Sequence, residues 1–205
     1  MISSEIVSGL LEREEWACLD FKVKLGFPHG SEHQKEELLK DIMAMSNTVA
    51  CEFGYIVIGA KKRPHQKLDL IGIDDADKID NAAITEFVNK KLNRAILFQY
   101  ETIEIDGNTL GVLVIKPDGA WHFLKEDFGK LRGKTIYYRN NDSTDIMTPD
   151  EIAERSIKNN FPRLSLQLFS ESENNAFISS ETVALRQIEW VGGKMLWSGL
   201  ALNRS

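Results

Sequence analysis

Glu15 and Asp20 bracket a short apolar stretch, and Lys22 follows in the run EEWACLDFK. Two carboxylates brought together can hold a divalent cation through hard oxygen ligands, and a nearby ammonium can neutralise a phosphate or a developing oxyanion. The same residues also suit a plainer arrangement. From Leu19 to Leu25 apolar and charged residues alternate with period two, which predicts a strand with a buried face and a solvated, charged one. A second group, Ser46-Asn47-Thr48, precedes GYIVIGAKK, where a helix end meets an apolar strand. Asn47 in apolar surroundings needs hydrogen-bond partners, and Gly59 ends the strand where backbone or a ligand could approach. No GxGxxG or P-loop context accompanies that glycine. A third group joins Lys61, Lys62 and Arg63 with Tyr138 and Arg139. Cations interleaved with aromatics suit phosphate contacts and base stacking, and equally a charged loop and a strand edge. His29, His33, His65 and His122 have no accompanying nucleophile, and neither a zinc-hydrolase site nor a Ser-His-Asp triad is expected from them.

The elements that position these groups are legible from periodicity. Ser3 or Ser4 caps a helix reaching toward Glu14, and the strand from Leu19 follows. GFPHGSEHQ reads as a loop and KEELLKDIMAMSNTVAC as the strongest helix. Tyr55 to Ile58 form an unbroken apolar run, as in a strand buried on both faces. A short strand near LIGID precedes a helix carrying Ile79, Ala83, Phe87, Val88 and Leu92. Residues 98 to 105 and 109 to 116 alternate around Asp106-Gly107, a hairpin signal. KTIYYR is a further strand, and Thr148-Pro149 opens a helix. The expected class is α+β, a mixed sheet flanked by helices. Beyond 160 the pattern weakens, with RLSLQLF and VALRQIEW as candidate strands. The expected division is a domain over 1–160 and a C-terminal extension, 161–205, that adds strands or begins a further domain.

With 205 residues and a net charge of -6, the chain has room for one full core, and it binds nucleic acid, if at all, through a local basic patch. Cys18 and Cys51 have no metal-type spacing and read as two buried thiols. No leader pattern opens the sequence and no apolar run is long enough for a membrane span, which makes a cytoplasmic protein the expectation.

Five segments, in order over about residues 8 to 157, resemble the Schlafen AlbA-like family. Glu15 followed by Leu19-Asp20-Phe21-Lys22 is similar to its E-x4-EFK. KEELLKDIMAMSNT is similar to the helix ending in AFANT, GYIVIGAKK to GGxxxxGVxD, and LIGID to IxGI. YYRNNDSTDIMTPDEI is similar to YxRxGSSxxxAxxxEI. The resemblance implies a nucleic-acid-binding domain that in some relatives is a metal-dependent endoribonuclease acting on tRNA and rRNA, with three carboxylates at its centre. Bacterial proteins of this type are associated with stress or phage defence. Carried over, Glu15 and Asp20 are the first two carboxylates and would hold Mg²⁺ or Mn²⁺, with Lys22 as their catalytic companion. The third position falls at Lys62, so another acid, Asp74 or Asp75, must complete the site or the protein binds without cutting. The expected partner is a tRNA-like RNA or a single-stranded nucleic acid, steered by Lys61, Lys62, Arg63, Tyr138 and Arg139. A homo-oligomer or a partner protein is left open, as is the competing reading of a non-catalytic regulatory module binding nucleic acid or a nucleotide.

Overall fold

The computed structural model describes residues 2–48, 50–62, 68–75 and 78–160, with short segments at 183–185, 188–191, 194–197 and 200–202. The chain divides into two units, Met1–Pro162 and Arg163–Ser205. The first is built on a four-stranded mixed sheet. Its strands are β1 (Leu19–Lys22), β2 (Gly54–Ile58), β5 (Leu97–Ile105) and β6 (Asn108–Lys116), in the order β1-β2-β6-β5. β1 runs parallel to β2, and the other two pairings are antiparallel. Asp106 and Gly107 both take positive φ, which gives the tight turn that sets the β5–β6 register.

Helices cover both faces of this sheet. On one face lie α2 (Glu32–Ser46) and α3 (Asn81–Lys91); Leu39, Ile42 and Met43 pack against Ile56, Ile58, Leu113 and Ile115. On the other, α1 (Ser4–Leu11) places Val7 and Leu10 against Leu19, Phe21, Val57 and Val112. Each such fully buried aliphatic side chain contributes about 1.5–3 kcal/mol of transfer free energy. The loop after β1 was expected over residues 26–34. Instead α2 starts at Glu32, because Ser31 and Gln34 form a reciprocal capping box that satisfies two of the free amide groups at the helix start.

Two small ladders complete the unit. β3 (Ala60–Lys61) pairs with β4 (Asp69–Leu70), and β7 (Tyr137–Asn140) with β8 (Ser143–Ile146). Gly59 sits at φ 91°, and a Cβ there would lie 2.9 Å from the carbonyl carbon of Gly72, whose amide donates to Gly59 O at 2.9 Å. The close approach foreseen at this glycine is therefore made by backbone. α4 (Pro149–Asn160) begins at Thr148, which exchanges hydrogen bonds with Glu151. In the second unit β9 (Val183–Leu185) pairs with β12 (Leu200–Leu202), and β10 (Ile188–Val191) with β11 (Lys194–Trp197). The strand expected at RLSLQLF lies outside the described residues.

The reading of two free thiols is corrected. Cys18 and Cys51 are both buried and are joined in a disulfide. Their separation of 33 residues carries no local signal. What unites them is the parallel pairing of β1 with β2, in which the Tyr55 amide donates to Cys18 O at 2.8 Å. Unfolded without reductant, the chain should react with no maleimide, and dithiothreitol should lower its stability by about 2 kcal/mol. Two labelled thiols in the untreated protein would contradict the bond.

Candidate functional site

Asp20 and Lys22 face the α2 side of the sheet, and the expectation of a solvated strand face is wrong for them. Asp20 is 6% exposed, because α2 lies over this face as α1 lies over the other. A carboxylate so placed must be paired. Lys22 Nζ stands 2.9 Å from Asp20 Oδ2 and 3.0 Å from Oδ2 of Asp41, a residue of α2 that is 2% exposed. Arg139, on β7, brings Nη2 to 3.9 Å from Asp20 Oδ1. Two acids and two bases from three elements thus form one interior cluster without net charge.

The electrostatics follow from that packing. Burial disfavours the charge on Lys22, but Asp41 and Asp20 outweigh it and hold the ammonium well above the ordinary lysine range. Burial pushes the Asp41 carboxyl up, opposed by Lys22 and reinforced by Asp20.

The end of α2 is tied to the same region. Asn47 Nδ2 donates to His122 O at 2.8 Å and to Tyr137 O at 2.9 Å, while its Oδ1 accepts from the His122 amide at 2.8 Å. Thr48 Oγ1 accepts from the Arg139 amide at 3.0 Å and donates to Ala44 O at 2.7 Å. The SNT segment therefore fixes β7, and with it the backbone from which Arg139 reaches Asp20. His122 is 1% exposed, with Nε2 3.0 Å from Asp118 Oδ1.

Glu15 lies in the turn before β1. Its Oε1 accepts from the Phe21 amide at 3.0 Å, and its Oε2 is 3.6 Å from Lys62 Nζ. Lys62 also meets Glu14 at 2.7 Å; the hydrogen bond to Glu14, with smaller help from Glu15, outweighs slight desolvation and raises its pKa. At the position where an acid was sought, a cation already neutralises Glu15. Lys61 is exposed, and Arg63 and His65 lie outside the described residues. Tyr138 is buried: its hydroxyl donates to Glu151 at 3.2 Å, and Arg155 lies 4.5 Å over its ring. Asp74 and Asp75 are exposed, and Asp75 pairs with Lys78 at 2.7 Å. Among the described residues no three His, Cys, Asp or Glu side chains group as metal ligands.

These donors do not fit a divalent ion. Asp20 is shared between two cations, and Glu15 is engaged by an amide and an ammonium. A metal would have to displace Lys22 from both Asp20 and Asp41. A recess of about 600 Å³ beside β5, lined by Ile2, Ile6, Phe53, Tyr55, Leu97 and Phe98 among others, contains none of the candidate catalytic, metal-binding or nucleic-acid-binding residues. Sequence reasoning missed Asp41. Its signal was faint: an acid at helical spacing from Leu38 and Met45, on the apolar side of α2.

The Schlafen, AlbA_2 family model matches residues 15–148. No curated protein matches the sequence. One similar solved structure is the DIP2311 protein from Corynebacterium diphtheriae, with a TM-score of 0.51 and 14% identity over 74% of this chain and 31% of that one. Another is the N-terminal domain of an ATP-dependent DNA helicase RecG-related protein from Nitrosomonas europaea, with a TM-score of 0.47 and 16% identity over 84% of this chain and 100% of that one. The chain thus spans less than a third of the Corynebacterium protein, and the likeness to it is one of fold.

Proposed function

We propose that this chain, which belongs to the Schlafen AlbA_2 family, is a nucleic-acid-binding module that does not hydrolyse its ligand through a metal at Glu15 and Asp20. The observation that carries this reading is the interior cluster. The second carboxylate of the motif is neutralised by Lys22 and Arg139, and Lys62 stands beside Glu15 where the family pattern has an acid. A fixed ammonium between two carboxylates repels a cation and supplies no open coordination position. Nucleic-acid binding itself rests on the family's character and requires only local positive charge, which an acidic protein can still present.

Fluorescence anisotropy with bulk tRNA and with single-stranded DNA, in Mn²⁺ and in EDTA, tests the proposal. Binding is expected at about 10⁻⁴ to 10⁻⁶ M, unchanged by EDTA and weakening steeply as salt rises from about 50 to 200 mM. The RNA should remain uncut over hours of incubation. Cleavage that requires Mn²⁺ and disappears in Asp20→Ala would replace this reading with that of a metal-dependent endoribonuclease. Absence of binding to either nucleic acid would reject both.

A further inference from the structure

The cations singled out from the motif are largely committed elsewhere: Lys62 to Glu14 and Glu15, Arg139 to the interior. A different part of the surface carries unspent positive charge. The end of α3 and the turn after it contribute Lys90, Lys91 and Arg94. The segment 123–134 contributes Lys125, Lys130, Arg132 and Lys134. Against these seven cations the two stretches 86–94 and 123–134 hold three acids, Glu86, Glu126 and Asp127, in a chain whose net charge is -6. Asp127 is already engaged, accepting from the Gly133 amide at 2.7 Å and pairing with Arg132 at 3.1 Å. Among the described residues, no carboxylate lies within ion-pair reach of Lys90, Arg94, Lys130 or Lys134.

The two stretches are held together by backbone. Leu92 and Leu124 form an antiparallel bridge, the Lys125 amide donates to Lys91 O at 3.0 Å, and the Asn93 amide donates to Phe123 O at 3.0 Å. Asn93 also accepts from the Phe123 amide at 3.0 Å and donates to Trp121 O at 3.1 Å. Lys91 rests 3.8 Å over the Phe128 ring, which orders its stem and directs its charge. Between these residues lies a recess of about 310 Å³ lined by Lys90, Lys91, Lys125, Glu126, Asp127 and Phe128. Lysines converging on a concave, backbone-braced site suit a phosphodiester chain followed without regard to sequence.

We infer that this basic recess, formed by the end of α3 and the segment 123–134, is where the protein grips the phosphate backbone of a nucleic acid. The inference rests on the binding function proposed above and gives it a location. Lys90 and Lys125 line the recess and are exposed; replacing them removes the hydrogen bond from Lys125 Nζ to Lys90 O at 3.3 Å but leaves the core and the Lys91–Phe128 contact in place.

The test is anisotropy titration of labelled single-stranded 20-mers of RNA and DNA over a range of salt, with wild type, Lys90→Glu/Lys125→Glu and its glutamine counterpart. Thermal melting confirms that each variant is folded. The glutamate variant is expected to bind at least tenfold more weakly than wild type. The glutamine variant should lie between them, and its slope of log K against log salt should be shallower by about 1.4, from two lost contacts at roughly 0.7 each. Affinity and slope unchanged in folded variants would overturn the location while leaving the binding function standing. A wild type that binds neither 20-mer would overturn the function and the location with it.

Discussion

Lys22→Met should cost the protein about 3–4 kcal/mol of folding stability at pH 7. The substitution keeps the length and apolar stem of the side chain but leaves Asp20 and Asp41 facing one another inside the protein, with Arg139 at 3.9 Å as the remaining cation. Removing one partner from a buried ion pair typically costs about 3–5 kcal/mol, and the lower part of that range is appropriate because the Lys22 side chain is 30% exposed. The pH dependence has a defined sign. In the wild type, Lys22 has a folded pKa raised above 10.5, so its contribution is complete below that value and is lost as pH rises through the folded one. In the variant, the Asp41 carboxyl, already raised by burial, loses the ammonium that opposed the shift. A raised acid binds its proton more tightly in the folded state, so stability increases as pH falls. The gap between variant and wild type should therefore narrow between pH 7 and pH 5. Lys22→Met/Asp41→Leu, which removes the facing charge as well, should be more stable than Lys22→Met alone. Urea denaturation at the two pH values measures all three. A loss below about 1 kcal/mol, or a gap independent of pH, would show that the cluster is not coupled as the distances imply.

The second large effect is expected at Asn47. Its side chain makes three buried hydrogen bonds, all to backbone groups more than 70 residues away in sequence. Asn47→Ala leaves the His122 amide and the His122 and Tyr137 carbonyls without their partner. An unsatisfied buried group costs about 1–3 kcal/mol, so a total of about 3–5 kcal/mol is expected after partial relaxation. Asn47→Asp should be no better, since it preserves one acceptor but loses both donated bonds and buries a charge. Chemical denaturation gives the magnitude, and the part of the tryptophan emission assigned to Trp121, next to His122, by a Trp121→Phe control reports whether the loop has moved. A well-folded Asn47→Ala with unchanged emission and a cost under 1 kcal/mol would mean that β7 is held by other contacts.

Much of the fold was determined by local features of the sequence. The apolar run of β2, the alternation around Asp106-Gly107, the Ser3 and Thr148 caps and the face of α3 each depend on residues within a few positions of one another. Such features survive without knowledge of the rest of the chain. The candidate site was less legible. That Asn47 needed partners was clear from its apolar neighbourhood, whereas the partners themselves came from the segments around His122 and Tyr137.

What only the tertiary structure decided was the fate of each charge. Period-two alternation in β1 specifies two faces but does not say whether one of them meets water or a second layer of helices. Here α2 covers the charged face, so Asp20 becomes a buried group and Lys22 a partly buried one, and they meet Asp41 and Arg139. The same distance in sequence hid the disulfide: parallel β1–β2 pairing sets Cys18 beside Cys51 across 33 positions. Lys62 illustrates the point most directly. Its type was plain in the sequence, but whether its charge met a phosphate or an acid depended on the turn that carries Glu14 and Glu15, and there it finds both carboxylates. Periodicity and caps are short-range and sequence alone determines them, while the pairing of buried charges is a long-range requirement of desolvation and is settled only when the layers close.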